Sequence, residues 1–354
     1  MKNISRRSFL GSAVAGAAAS TTATVLLVGQ QRHTAAGEAG RVESTSAKVS
    51  AVRYAPPGWY LKDHCFFFHD GLWHLFAPLG KVGTSWEDPG SHETAEHMTS
   101  RDLVNWEHVG TAVSKSGKDG YFDKMMGGIA PHVIEHGGKF YMFYAGWTFP
   151  SKRPNFNLAG YKLSIGLANS SDLYHWEKPK DSAEDGLGVR GTDPCVVRDE
   201  ANDRWLMYTW TGQIPVYKSS DLLHWSQAGI AVTKANLFGI GESPFVMKHP
   251  RSEKWILFLN NGYSVSDDPL SFPRGQAYPF KCGWHGVPGV KPSGAWGDGT
   301  NALAEDDGAG YAHEVIELGG QSYMTGVVGR DGRFKLKFTP FRWTDDSIVQ
   351  QKGP

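Results

Sequence analysis

The sequence predicts an all-β protein built as a five-bladed β-propeller. A strand–turn–strand pattern occurs five times, and blades of about fifty to seventy residues would account for most of the chain. A second, shorter motif recurs between these copies, and no amphipathic helix pattern of useful length follows residue 50. The 13 tryptophans and 43 glycines also suit strands joined by tight turns.

Each copy of the first pattern has a polar lead residue, an apolar strand, a turn with Gly or charged residues, and an aromatic strand. This order is typical of an antiparallel hairpin. The best-defined copy is residues 191–210, GTDPCVVRDEANDRWLMYTW. The five hairpins are predicted at 63–76, 131–144, 191–210, 242–259 and 313–324, with lead residues Asp63, His132, Asp193, Glu242 and His313.

The second motif has the spacing Asp-Leu-x-x-Trp. It runs from Asp102 to Trp106, from Asp172 to Trp176 and from Asp221 to Trp225. Each copy lies between the start of one predicted blade and the start of the next. We expect a structural role, in which the Asp caps a turn and the Trp packs between neighbouring blades.

The N-terminal residues 1–39 are predicted to be a twin-arginine signal peptide. Residues 5–10 read SRRSFL, an uncharged Ala-rich stretch runs to Val28, and small residues suitable for cleavage follow. An uncleaved membrane anchor is the alternative, but the Gly, Ser and Thr content of the stretch makes it weakly hydrophobic. We expect export by the twin-arginine machinery to a secreted or periplasmic location, without stable membrane insertion. Residues 40–51 are predicted to be a linker, and residues 52–354 the propeller.

Composition argues against several classes of function. The chain has 36 basic and 36 acidic residues and no long basic run, so nucleic acid is not an expected partner. The three cysteines, Cys65, Cys195 and Cys282, do not make a disulfide framework, and no sequence cluster of Cys and His suggests zinc. Cys65 and Cys195 are predicted to be buried fillers of apolar strands. We expect a monomer without a cofactor or metal.

The lead residues predict an active site. The first strand of each blade lines the axis of a propeller, so Asp63, Asp193 and Glu242 should converge in one pocket although they are far apart in sequence. Converging carboxylates raise one another's pKa values. Glycoside hydrolysis needs one protonated and one ionised carboxyl group. We therefore predict Glu242 as general acid, Asp63 as nucleophile or base, and Asp193 as stabiliser of the transition state.

Other polar and aromatic residues are predicted to bind the substrate. His132 and His313 are expected to hydrogen-bond sugar hydroxyls or the acids, and ligation of a metal ion by this pair is the less favoured alternative. His64 is added because it follows Asp63. Aromatic rings near strand ends can stack on sugar faces, although such rings more often belong to a core. The candidates are Trp59, Trp147 and Trp210.

These motifs resemble those of the five-bladed propeller glycoside hydrolases of families 32, 43 and 68. Residues 59–76, with Asp63, resemble the first motif, which carries the nucleophile or base, and residues 121–130 resemble a second-blade segment near the substrate. Residues 192–194, Thr-Asp-Pro, are similar to the Arg-Asp-Pro motif. Residues 242–244, Glu-Ser-Pro, are similar to the motif of the catalytic acid. The resemblance covers residues 52–345 and implies an exported glycosidase acting on a furanoside or pentose sugar, such as fructan, arabinan or xylan.

The chain also departs from family 32. His64 stands where that family has Pro, Thr192 replaces an Arg, and only 41 residues follow His313, which leaves no space for an appended β-sandwich. These departures favour a bare propeller, as in much of family 43. Retention of configuration, as in families 32 and 68, and inversion, as in family 43, both stay open. The alternatives to an enzyme are a carbohydrate-binding propeller that has lost turnover, and a propeller for protein partners with an exposed apolar rim.

Overall fold

The structure of the chain, a computed structural model, describes residues 46–85, 88–148, 163–182, 184–237, 241–279, 310–329 and 332–351. Twenty strands in these residues form five sheets that follow one another along the chain. The fold is an all-β five-bladed propeller, as the sequence predicts. The predicted signal peptide and Cys282 lie outside the described residues. Within those residues, no helix has the length and apolar character needed to cross a membrane.

The blades take their strands in chain order. Blade 1 contains β1 (Trp59–Leu61), β2 (Cys65–His69), β3 (Leu72–Lys81), β4 (Thr94–Ser100) and β5 (Glu107–Ser114). Blade 2 contains β6 (Met126–His136), β7 (Lys139–Trp147) and β8 (Leu163–Ser170). Blade 3 contains β9 (Thr192–Asp199), β10 (Arg204–Trp210), β11 (Ile214–Ser219) and β12 (Ser226–Val232). Blade 4 contains β13 (Phe245–Lys248), β14 (Trp255–Leu259), β15 (Gly262–Ser266) and β16 (Gln276–Ala277). Blade 5 contains β17 (Tyr311–Leu318), β18 (Gln321–Val328), β19 (Lys335–Trp343) and β20 (Ile348–Gln350).

The five predicted hairpins are the five innermost strand pairs. They pair β2 with β3, β6 with β7, β9 with β10, β13 with β14, and β17 with β18, all antiparallel. Three of them turn on two residues with positive φ, which suits the right-handed twist of the strands. These residues are Asp70 and Gly71, Gly137 and Gly138, and Gly319 and Gly320. The apolar and aromatic residues of the strands supply the core, as in β14, where all five residues are buried.

Hydrogen bonds between innermost strands close the ring. Each of the five pairs of neighbouring blades is joined near the start of these strands. In order round the ring, the bonds run from Val133 N to Cys65 Sγ (3.3 Å), His132 Nε2 to Val196 O (3.0 Å), Val246 N to Cys195 Sγ (3.2 Å), Ala312 N to Asn260 Oδ1 (2.8 Å) and Phe66 N to Glu314 Oε2 (2.8 Å). The last bond joins blade 5 to blade 1. The segment before β1 adds a bridge between Tyr54 and Leu336 of β19. The two buried cysteines thus accept hydrogen bonds as well as filling the core.

The Asp-Leu-x-x-Trp motif has the predicted structural role. In the third copy, the Asp221 carboxylate accepts the backbone N–H groups of Leu223 and His224. The indole N–H of Trp225 donates to the carbonyl of Leu222 at 3.0 Å. Its ring stands edge-on to Phe143 of blade 2, with centroids 5.9 Å apart. The first and second copies form the same turn.

Two predicted connections contribute to the packed fold. Residues 46–50, inside the predicted linker, form a helical turn, and Val49 is buried in the core between blades 1 and 5. Residues 272–301 read as a long connection in the sequence, but its start belongs to blade 4. Phe272 is buried, and β16 pairs with β15. From residue 280 onward this segment lies outside the described residues.

Candidate active site

A cavity of about 340 Å³, counted with the space at its mouth, lies where the five innermost strands begin. Each blade contributes to its wall through residues just before or at the start of the continuously paired part of its innermost strand, which in blade 2 begins at His132, inside β6. The wall consists of Asp63, His64, Ala130, Pro131, His132, Asp193, Pro194, Ser243, Pro244, Phe245, Ala312, His313 and Glu314. The topology therefore brings residues from all five blades to one axial site, as the sequence predicts for Asp63, Asp193, His132 and His313.

The same backbone turn lies two residues before the continuously paired part of each innermost strand, which begins at Cys65, His132, Cys195, Phe245 and Glu314. One residue other than Gly has a positive φ in every blade, at Asp63 (43°), Ala130 (46°), Asp193 (52°), Ser243 (56°) and Ala312 (55°). These five positions are equivalent, and they correct the alignment of the sequence repeat. Asp63 and Asp193 hold the turn position itself. Glu242 precedes it by one residue, His313 follows it by one and His132 by two, because Ser and Ala hold the turn in those blades and give no sequence signal for it.

Asp63 and Asp193 form an interacting pair at the wall. Both carboxyl groups reach the cavity, yet the surrounding protein desolvates them. Burial raises the pKa of Asp193 to about 7, and the charge of Asp63 adds to the effect, whereas the Ser243 backbone N–H opposes it. Burial also raises the pKa of Asp63, and the Lys62 ammonium lowers it. Carboxyl groups with pKa values perturbed in this way are typical of active sites.

Lys62 is a buried cation, 8% exposed, at the junction of blades 1 and 5. Its Nζ lies 5.5 Å from the ring centroids of Tyr311 and of Phe334. Lys62 is not among the predicted site residues, although a charged residue directly after the apolar run of residues 59–61 is a signal. The ammonium favours the ionised form of Asp63, the form that a nucleophile or base needs.

Glu242 stands next to the cavity wall, one residue before Ser243. Burial raises the pKa of Tyr311, and the charges of Asp63 and Glu242 contribute to the increase, so both acids lie within electrostatic reach of this phenol. The Asn260 backbone N–H donates to the Glu242 carbonyl at 3.1 Å. The Asn260 side chain in turn accepts the backbone N–H of Ala312, as described above. The backbone of the blade 4 acid is thus tied, through Asn260, to the start of β17 in blade 5.

Three neutral imidazoles complete the polar wall. Burial lowers the pKa of His64 to about 3 and the pKa values of His132 and His313 to about 4. His313 Nδ1 donates to the Thr325 carbonyl at 3.1 Å, and His64 Nε2 lies 2.7 Å from the Thr325 hydroxyl. His64 Nδ1 is buried and has no hydrogen-bond partner among the described residues. An unsatisfied buried nitrogen beside a cavity is a ready contact for a ligand hydroxyl.

The predicted stacking tryptophans are not on this wall. Trp147 is 5% exposed and packs in the core between blades 2 and 3, so it has no free ring face for a sugar. Trp59 and Trp210 are half-buried against core clusters. Stacking on a substrate stays a prediction for these two.

The sequence analysis missed Glu314, which lies on the wall two residues after the turn position of blade 5. Burial raises the pKa of Glu314 to about 8. Its position corresponds to Cys65 in blade 1 and His132 in blade 2, and one ligand atom from each of these three residues lies within 4.8 Å of the others. This thiol, imidazole and carboxyl group are a donor set that can hold a metal ion.

Comparison with known proteins finds similarity to glycoside hydrolases. The family described as Glycosyl hydrolases family 43 matches residues 89–214, which run from blade 1 into blade 3. A probable sucrose-6-phosphate hydrolase from Psychromonas ingrahamii is 28% identical over 195 residues, covering 52% of this chain and 33% of the relative. An extracellular endo-α-(1→5)-L-arabinanase from Thermotoga petrophila is 26% identical over 235 residues, covering 56% of this chain and 49% of the relative. The matched regions thus span less than half the length of these relatives.

Solved structures share the fold. A family 32 β-fructofuranosidase from Bombyx mori superimposes with a TM-score of 0.59 at 16% identity, covering 88% of this chain and 68% of that one. A thermostable family-43 glycoside hydrolase superimposes with a TM-score of 0.54 at 19% identity, covering 85% of this chain and 96% of that one. Families 32 and 43, two of the three that the motifs resemble, are therefore represented among the structural neighbours.

Proposed function

We propose that this chain, a five-bladed propeller of the group formed by glycoside hydrolase families 32, 43 and 68, is a glycosidase that cleaves a furanoside or pentose-type oligo- or polysaccharide. The observation that carries the proposal is the axial cavity, where Asp63 and Asp193 interact and Glu242 adjoins the wall. Relatives named levanase and endo-α-(1→5)-L-arabinanase favour fructan or arabinan, and a β-xylosidase among the structural neighbours adds xylan.

Each of the three acids has a separate role in the proposed reaction. Glu242 donates a proton to the leaving oxygen, and Asp63 acts on the anomeric carbon directly or through a water molecule. Lys62 favours the ionised form of Asp63 against the effect of burial. Asp193, with its raised pKa, hydrogen-bonds the sugar near the reacting carbon and stabilises the transition state. The neutral histidines bind sugar hydroxyls, and His64 Nδ1 gains the partner that it lacks in the described residues.

The decisive experiment compares wild type with Glu242→Gln on sucrose, levan, arabinan, xylan and chromogenic pentosides. Loss of the general acid should lower kcat by roughly 10²–10⁴-fold on the substrate that wild type cleaves. The matched control is Glu253→Gln, which changes an exposed glutamate of the same blade and should leave kcat unchanged. Analysis of the product anomer in the same reaction distinguishes retention from inversion.

Other outcomes decide against hydrolysis. If a glycan binds but wild type cleaves none, the chain is a carbohydrate-binding propeller. A protein-docking propeller would show a contiguous apolar rim, but the exposed large apolar side chains of the described residues are scattered over several blades. They are Val82, Val109, Tyr174, Leu223 and Val349.

The proposal includes export of a monomer by the twin-arginine route, supported by residues 5–10 and the apolar stretch that follows them. Replacement of Arg6 and Arg7 by Lys in a producing cell should retain the chain in the cytoplasm. Secretion of the double variant at the wild-type level would contradict this route.

A further inference from the structure

The turn that starts each innermost strand is followed, two residues later, by a ring of side chains around the axis. Its members are Cys65, His132, Cys195, Phe245 and Glu314. Glu314 and His132 line the floor of the cavity, and Cys65 packs beside them in the core of blades 1 and 2. Three blades therefore bring together a sulfur, a nitrogen and an oxygen ligand that are widely separated in sequence.

A backbone group fixes the orientation of each of these three side chains. His132 Nε2 lies 3.0 Å from the Val196 carbonyl, which can only accept, so Nε2 carries the proton and Nδ1 presents its lone pair. The Phe66 backbone N–H holds Glu314 Oε2 at 2.8 Å and leaves Oε1 turned towards His132. The Val133 backbone N–H donates to Cys65 Sγ at 3.3 Å and orients it. Burial and the neighbouring Glu314 raise the pKa of this thiol, so an ion that binds here has to displace the thiol proton. Such outer partners are typical of metal-ligating side chains.

The distance between the facing atoms fits an ion. His132 Nδ1 and Glu314 Oε1 are 4.0 Å apart, too far for a hydrogen bond. Zinc binds nitrogen and oxygen ligands at about 2.0–2.2 Å and sulfur at about 2.3 Å, so an ion between these atoms needs only small side-chain movements. Sulfur and imidazole ligands favour zinc-class ions over calcium or magnesium, which prefer oxygen.

We propose that Cys65, His132 and Glu314 bind one divalent transition-metal ion of the zinc class at the floor of the axial cavity. Thiolate and carboxylate together balance the double positive charge, so the buried site is neutral when loaded. Binding releases the thiol proton, and the carboxyl proton where Glu314 carries one, to solvent. Two of the ligands line the cavity, so the fourth position is open to water or to a ligand hydroxyl. Because its three ligands come from blades 1, 2 and 5, the ion links these blades. Its binding does not require hydrolytic activity.

The test uses the full chain stripped of metal with a chelator, then dialysed against Zn²⁺ or Co²⁺ alone. We expect one equivalent of either ion and, with Co²⁺, a thiolate-to-cobalt charge-transfer band in the near ultraviolet. The band should vanish in Cys65→Ser. It should persist in Cys195→Ser, whose sulfur holds the equivalent position in blade 3 outside the cluster, and in Cys282→Ser. Calorimetry should show at least tenfold weaker zinc binding in His132→Gln and Glu314→Gln.

Several results would overturn the proposal. One is wild type that retains less than a tenth of an equivalent of zinc or cobalt. Another is wild type that binds one equivalent of calcium but neither zinc nor cobalt. A third is a charge-transfer band that is lost in Cys195→Ser or Cys282→Ser. Circular dichroism checks that each variant folds. Should Cys65→Ser fail to fold, the stoichiometry of wild type and the affinity of His132→Gln still decide the question.

Discussion

The buried carboxyl group of Asp193 is placed for catalysis, but its ionisation destabilises the folded chain. Its carboxyl group is desolvated beside a second carboxyl group, which raises its pKa to about 7 from an unfolded value near 4. The folded chain therefore holds a proton there that the unfolded chain has lost, so stability falls as pH rises from about 4 through 7. Such sites commonly trade stability for function.

We expect Asp193→Asn to raise the free energy of unfolding at pH 8 by roughly 1–3 kcal/mol, because the amide removes a buried charge. At pH 4.5 the two proteins should differ little, since Asp193 is then protonated in the folded state. Urea unfolding at the two pH values, with the exposed Asp203→Asn as control, measures the effect. A gain of equal size at both pH values would refute a titration origin.

Lys62 permits a second residue-scale prediction. Its ammonium lowers the pKa of Asp63, so Lys62→Met should raise that pKa and move the acid limb of the pH–kcat/KM profile to higher pH. Lys62→Arg keeps the charge and should hold the limb within about 0.3 units of wild type. A Lys62→Met profile that is merely scaled down, with both limbs in place, would show that Lys62 acts through packing alone.

At the scale of elements, the sequence predicted the hairpins well but their starting residues less well. The apolar and aromatic runs around the Asp70-Gly71, Gly137-Gly138 and Gly319-Gly320 turns are unambiguous. The turn at the axis is different, because its left-handed residue is Ala or Ser in three blades, and neither residue marks this conformation. The repeat was therefore aligned on polar residues, and Glu314 was missed.

The Asp-Leu-x-x-Trp turns also show that a local structure can recur where its residue pattern does not. Blade 4 has a fourth copy, in which Asp268 accepts the backbone N–H of Leu270 and Phe272 stands in the place of the Trp. Phe272 is buried against Tyr208 of blade 3, as Trp176 and Trp225 pack on aromatic rings of the preceding blade. The geometry is kept while Leu and Trp are replaced, so a pattern of letters cannot find this copy.

Trp225→Ala tests the contribution of such a turn. The indole packs edge-on against Phe143 of blade 2 and donates to the Leu222 carbonyl, so its removal should cost roughly 2–4 kcal/mol of unfolding free energy. Leu223→Ala, in the same turn but 46% exposed, is the matched control and should cost less than about 0.5 kcal/mol. Equal losses in both variants would mean that the indole does not join the blades. Denaturant titration monitored by circular dichroism gives both values.

At the scale of the whole molecule, closure of the ring explains why contiguous motifs could predict a resemblance to known glycoside hydrolases. It also explains why the spacing of residues along the chain could not predict which side chains meet at the floor of the site. The resemblance to families 32, 43 and 68 rests on contiguous motifs, and the family match and relatives confirm it. The thiol, imidazole and carboxyl group beneath the cavity come from three blades, and only closure of the ring brings them together. No local sequence pattern therefore predicts that these three side chains lie close together.

Ring closure also buries an unusual number of imidazoles, which sets the response of the whole protein to pH. Burial lowers the pKa values of seven histidines in the described residues, which favours the neutral imidazole in the folded chain, whereas the unfolded chain protonates them below about pH 6.5. They are His64, His74, His92, His97, His132, His249 and His313. Their contribution to stability is present above pH 6.5 and is lost as pH falls towards 4. Asp193 and Glu314, with pKa values raised to about 7 and 8, act in the opposite direction and lose their contribution as pH rises.

These histidines outnumber the acids whose pKa values are raised, so the unfolded chain should bind several more protons than the folded chain near pH 5. The free energy of unfolding should therefore peak between pH 6 and 7 and fall by about 2–4 kcal/mol per pH unit below pH 5.5. Guanidinium unfolding from pH 5 to 8.5, with a chelator present so that no metal occupies Cys65, His132 and Glu314, measures the curve. His108→Gln, which changes a half-exposed histidine, should leave its shape unchanged. A protein as stable at pH 5 as at pH 6.5 would mean that these imidazoles are protonated in the folded ring, and neutral histidines could then not form the wall of the cavity.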